Sequence, residues 1–121
     1  MLKGVRRQDA AVYHLPGRDW QLCIGPENSD AKRLTLGVAV FPEGSAPAGH
    51  VHEAAEEAIY IVSGRGELVT PEGSVDLVPG TSVYIPVGLP HATISHGPGP
   101  LELVSVFSPP VVPGSYEGGA G

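Results

Sequence analysis

Turn-forming residues interrupt this chain every six to ten residues, and that spacing limits the possible folds more than any other feature. The runs between interruptions are short and apolar: RLTLGVAVF (33–41), EAIYIVSG (57–64), GELVT (66–70), SVDLVPG (74–80), TSVYIP (81–86), HATIS (91–95) and LELVSVF (101–107). No amphipathic helix of useful length stands among them, so the pattern predicts an all-β sandwich or barrel. Gly64-Arg65-Gly66 and Glu72-Gly73 read as hairpin turns, with glycine supplying positive φ. In 33–41, Leu34, Leu36, Val38 and Val40 share one face and Thr35, Gly37 and Ala39 the other. Leu36 and Val38, with Ile59, Ile61, Val83 and Ile85, are therefore expected to line the interior.

At 121 residues the chain has the length of one domain. It divides into a barrel core at about 33–108, N-terminal strands at 10–24 and a flexible tail at about 114–121, whose Gly118–Gly121 end is expected to fray. Pro109, Pro110 and Pro113 deny their segment regular ladder bonding. Seven basic against thirteen acidic residues give a net charge of −6, which disfavours nucleic acid and anionic membrane partners. The single cysteine, Cys23, lies in WQLCI and reads as a small buried hydrophobe. With no apolar run near the ~20 residues of a membrane helix and no apolar segment behind Arg6-Arg7, a cytoplasmic protein is expected.

The chemistry concentrates in GSAPAGHVHEAAEEAIYIVSG (44–64). On an extended chain, His50 and His52 project from one face with α-carbons about 6.5–7 Å apart, so their rings can converge on one ion. Among the acids that follow, Glu57 shares its face with Ile59 and Ile61, whereas Glu56 shares one with Ala58 and Tyr60. The isoleucine face is the interior, which makes Glu57 the ligand and leaves Glu53 and Glu56 as turn or rim charges. His91 follows PVGLP, a turn able to bring it alongside the pair; His96 reads as a surface residue. Burying three imidazoles and a carboxylate without partners would cost about 2–7 kcal/mol per polar group, comparable to the stability of a domain. A metal ion removes that cost.

The spacing resembles the two motifs of the cupin superfamily. Gly44, His50, His52, Glu57 and Gly64 fit the first; Gly80, Pro86, Gly88 and His91 fit the second, with Ser95 standing where that family has Asn. The resemblance implies a double-stranded β-helix, or jelly-roll barrel. It also implies one divalent transition metal (Mn, Fe, Co, Ni, Cu or Zn) held by His50, His52, Glu57 and His91, with Glu57 as a catalytic proton carrier. The Ser95 departure touches hydrogen bonding around the ligands. With a pocket expected to be aliphatic, the first functional reading is an oxidoreductase of the dioxygenase type, acting on a small enolisable or aromatic compound. The alternatives are a metal-dependent isomerase, lyase or cyclase of a sugar acid or keto compound, which needs polar groups inside the barrel, and a non-catalytic binding protein. Tyr60 and Tyr84 are rim donors or cross-strand packing. Similar small cupins pair through sheet edges, so AAVYHL and WQLCI are expected to add to a partner's sheet in a homodimer.

Overall fold

The computed structural model describes residues 1–115. After one 3₁₀ turn at Arg7–Asp9, the strands are β1 (Ala11–Leu15), β2 (Arg18–Ile24), β3 (Thr35–Phe41), β4 (Glu56–Ser63), β5 (Gly66–Thr70), β6 (Gly73–Leu77), β7 (Ser82–Ile85), β8 (Ala92–Ser95) and β9 (Leu101–Ser108). The seven apolar runs correspond to β3 through β9. Antiparallel pairing builds a six-stranded sheet in the order β1-β2-β3-β9-β4-β7 and a three-stranded sheet in the order β6-β5-β8. These two sheets form the jelly roll, with alternate residues of each strand turned into a common core that includes Trp20, Ile59, Ile61, Leu68, Leu103 and Phe107. No helix among the described residues is long and apolar enough to cross a membrane.

In β3 the inward face is the opposite of the one expected. Thr35, Gly37, Ala39 and Phe41 are buried, while Leu36, Val38 and Val40 are only half-buried on the outer side. The cause lies on the neighbouring strand: Trp20 is 2% exposed, pairs with Ala39 and fills the barrel beside β3. A Cβ at Gly37 would overlap the indole of Trp20, so the facing strand must present small residues there. The expected lining residues Ile59, Ile61 and Ile85 are buried, and Val83 packs half-buried against the core.

Gly64-Arg65-Gly66 is not a hairpin. It carries the chain from β4 in one sheet to β5 in the other, and Gly64, with φ +85°, lies against the Pro100 carbonyl where a Cβ would collide. Glu72-Gly73 does close the β5–β6 hairpin, with Thr70 opposite Gly73. Cys23 is half-buried rather than in the core, because the inward places of β2 belong to Arg18, Trp20 and Leu22. Tyr60 and Tyr84 point outward from the large sheet, 50% and 62% exposed, so they are not donors at the cavity mouth. Tyr84 instead donates a hydrogen bond to Glu56 at 2.9 Å. His96 is exposed, and no strand follows Ser108 among the described residues. Residues 116–121, which include Gly118–Gly121, lie outside the described residues.

Candidate metal centre

His50 and His52 sit not on a regular strand but on an extended loop laced to the loop before β8. The His50 N–H donates to the His91 carbonyl at 2.9 Å and the His91 N–H to the His50 carbonyl at 3.0 Å, a single isolated bridge. One step further, the Gly88 N–H donates to the His52 carbonyl at 3.0 Å. Gly88 has φ +79°, and the Leu89 N–H returns to the Pro86 carbonyl at 3.3 Å. That is the third-position glycine a type II turn requires.

Open space surrounds a Cβ at Gly88, so substitution there meets only backbone strain, about 1–2 kcal/mol. Gly88→Val is expected to lower the thermal midpoint by several degrees and to weaken metal retention, since the turn carries both His91 and the bond to His52. Wild-type values for both, read by calorimetry and elemental analysis, would make Gly88 an ordinary loop residue.

The loops bring the three imidazoles together with ring centroids 4.5, 5.0 and 5.4 Å apart, and a ligand atom from each lies within 4.8 Å of the others. Glu57, near the start of β4 between Ile85 and Phe107, joins them from below. Its Oε1 lies 3.3 Å from His52 Nε2 and 3.5 Å from His91 Nε2. The structure therefore brings the three histidines together and sets Glu57 beside His52 and His91, with His52, His91 and Glu57 buried and His50 half-buried. Glu53 and Glu56 are exposed.

The electrostatics favour a cation among these groups. His91 Nδ1 donates to the Leu89 carbonyl at 2.9 Å, which places the proton of the neutral ring on Nδ1 and turns Nε2 toward Glu57. Burial pulls His91 down, but the Glu57 carboxylate and the Leu89 carbonyl outweigh it and hold the ring above its ordinary value. Burial likewise pushes Glu57 up, yet the His52 and His91 rings beside it win and keep the carboxyl below its usual range. His50 is driven down to about 3 by burial, then by the charges of His91, His52 and Arg18, so at neutral pH its lone pair is available. Glu57 Oε1 is buried with no well-formed hydrogen bond. A buried anionic oxygen facing imidazole nitrogens fits a divalent ion, and three nitrogens with one oxygen suit a transition metal.

The cavity lined by His50, Glu57 and His91 offers about 30 Å³ of free space, enough for an ion and a small polar head but not for a whole substrate. Its walls carry a residue that the sequence reading overlooked, Arg18, which is 6% exposed and donates to the Pro16 carbonyl at 3.0 Å. Thr93 and Ser105 also line it. The signal was present in RDWQLCI: Arg18 has the same parity as Trp20 and Leu22. Ser95 is buried too, but its hydroxyl faces the Phe41 carbonyl at 3.4 Å, and its backbone bonds to Gly44 and Ser45 fasten the loop that leads to His50. It acts on the loop and not on a ring nitrogen.

The family model described as the cupin domain matches residues 37–107. An uncharacterised protein of Methanocaldococcus jannaschii is 33% identical over 78 residues, 64% of this chain and 62% of that protein. A glucose-6-phosphate isomerase of Thermococcus onnurineus is 35% identical over 108 residues, 84% of this chain and 57% of the isomerase. The chain thus spans about three fifths of the length of the curated relatives it matches. Among solved structures, the polyketide cyclase RemF from Streptomyces resistomycificus superposes with a TM-score of 0.76 at 25% identity, covering 89% of this chain and 80% of the cyclase.

Proposed function

The chain belongs to the cupin domain family, and from that premise we propose that it is a metal-dependent enzyme of the isomerase, cyclase or lyase kind, acting on a small enolisable acid. The observation that carries this reading is Arg18, a buried guanidinium in the same cavity as His50, Glu57 and His91. The dioxygenase reading leaned on an aliphatic lining, but Leu36 and Val38 lie on the outside, and Arg18, Thr93 and Ser105 supply polar groups within. By their names, an isomerase and a cyclase stand among the similar proteins, which agrees with it.

His50, His52, His91 and Glu57 would hold the ion. When bound, it would supply Lewis acidity toward a carbonyl oxygen, worth several kcal/mol of charge stabilisation. Glu57 is the one carboxylate among the described residues that line the cavity, so it takes up and returns the proton next to that carbonyl. Arg18 holds the substrate's carboxylate or phosphate by charge-assisted hydrogen bonds, and fixes which end of the molecule enters. The narrow cavity admits only that head group, against walls that include Trp20 and Phe107.

The test is proton exchange without oxygen. Metal-loaded protein under argon in heavy water is expected to exchange the α-protons of small keto acids, an activity lost in Glu57→Gln even at saturating metal. Arg18→Met should raise KM for anionic substrates about 10- to 100-fold, the worth of one charge-assisted hydrogen bond, and leave neutral analogues unaffected. Oxygen uptake without anaerobic exchange would establish the dioxygenase reading instead; saturable binding with neither reaction would establish a binding protein.

A further inference from the structure

Two buried donors in the wall of the cavity make no hydrogen bond among the described residues. One is the indole N–H of Trp20, a residue 2% exposed. The other is the hydroxyl of Ser105 on β9, also 2% exposed. The strand ladder makes them neighbours. Ser105 pairs with Gly37 of β3, and a Cβ at Gly37 would overlap the Cε2 and Cζ2 atoms of the Trp20 ring. Cε2 is bonded to the indole nitrogen, so the nitrogen-bearing side of the ring lies over Gly37, across the strand from Ser105. Arg18 stands two residues before Trp20 on the same face of β2. Toward the metal centre, Phe107 pairs with Glu57 and Ser105 with Ile59, which puts the serine one inward step along the barrel from the carboxylate.

A buried hydroxyl or indole N–H ordinarily finds an acceptor, and one left without it destabilises the fold until a ligand provides the missing oxygen. Ala39, Ile59 and Leu103, which share this part of the wall, have apolar side chains with no acceptor to offer. From this we infer that Trp20 and Ser105 donate hydrogen bonds to the oxygens of a substrate carboxylate, and that with Arg18 they make the site selective for a carboxylate over a phosphate. The inference rests on the proposed reading of the substrate as a small enolisable acid. Arg18 supplies the opposite charge that burying an anion demands, and the two neutral donors supply direction. Size decides the class of acid. Free space of about 30 Å³ seats roughly two water-sized groups, which suits the pair of oxygens on a carboxylate. A phosphate carries more oxygens around a larger centre and does not fit.

The experiment follows the indole proton, because Trp20 is the one tryptophan in the sequence. Zinc-loaded full-length protein with isotope-labelled tryptophan is titrated with pyruvate and, separately, with inorganic phosphate, and its indole N–H resonance is read by NMR. Pyruvate is expected to move that resonance downfield and slow its exchange with solvent, both saturably, and phosphate to do neither. Ser105→Ala should raise the Kd for pyruvate about tenfold, the worth of one hydrogen bond, with metal content and thermal midpoint unchanged. If that variant does not fold, Ser105→Cys, which keeps the shape and donates only weakly, replaces it. Saturable pyruvate binding that leaves the indole proton unmoved overturns the inference while the proposed proton exchange stands. Folded Ser105 variants with wild-type affinity do the same. An indole response to phosphate equal to that for pyruvate overturns the selectivity, and no pyruvate binding at all overturns the inference together with the reading it rests on.

Discussion

Protein carrying His50→Ala and His52→Ala together is expected to leave purification with less than a tenth of the wild type's bound metal. The two rings supply two of the three nitrogens whose ligand atoms lie within 4.8 Å of one another, and His91 and Glu57 alone make a site that loses its ion on dilution. Each single change, at His50, His52 or His91, should strip most of the metal, because it removes one of the three nitrogen donors. Glu57→Ala should weaken retention and abolish turnover. Loss of metal should also lower the thermal midpoint of the wild type, since an ion that binds only the folded state stabilises it by mass action. Elemental analysis reads the first effect and calorimetry the second. Full occupancy in the double variant would place the metal elsewhere.

Gly37→Val is expected to be the most damaging substitution away from the metal. Residue 37 is on the inward face of β3, and a Cβ there would run into the Trp20 indole, which is 2% exposed and packed against Tyr13 with ring centroids 6.3 Å apart. The indole N–H makes no hydrogen bond, so packing alone holds the ring beside β3. Overpacking of this kind costs about 1–3 kcal/mol, and the β-branched side chain places two further methyl carbons against the ring, so the upper end applies. A loss of roughly 10 °C in thermal midpoint follows. Trp20 also lines the cavity, so metal retention should fall with it. A midpoint within 2 °C of wild type would mean that Trp20 does not occupy the space beside β3.

The meeting of the three histidines was legible because its constraints are local. His50 and His52 point the same way on any extended chain, and the parity of Glu57 with Ile59 and Ile61 is a property of one strand. Strand positions were legible for the same reason. What failed depends on neighbours. The inward face of β3 could not be chosen from β3 alone, since Leu36 and Val38 form the more apolar side; a tryptophan on β2 decides it, and β2 is joined to β3 through a loop that the alternation rule does not describe. The glycines at 64 and 66 look the same whether a chain folds back on itself or crosses to the other sheet, because both need positive φ or close approach. Arg18 is hard to foresee because an arginine is rarely fully buried, although its parity with Trp20 points inward.

The central claim is that His50, His52, His91 and Glu57 share one metal ion. X-ray absorption at the edge of whichever metal the purified protein carries tests it most directly, because imidazole rings give a scattering pattern that carboxylates and water do not. The account predicts three imidazoles and at least one oxygen around the ion, falling to one imidazole or to no metal at all when His50 and His52 are replaced. A metal surrounded only by oxygen, or one whose spectrum is unchanged in that variant, would contradict it.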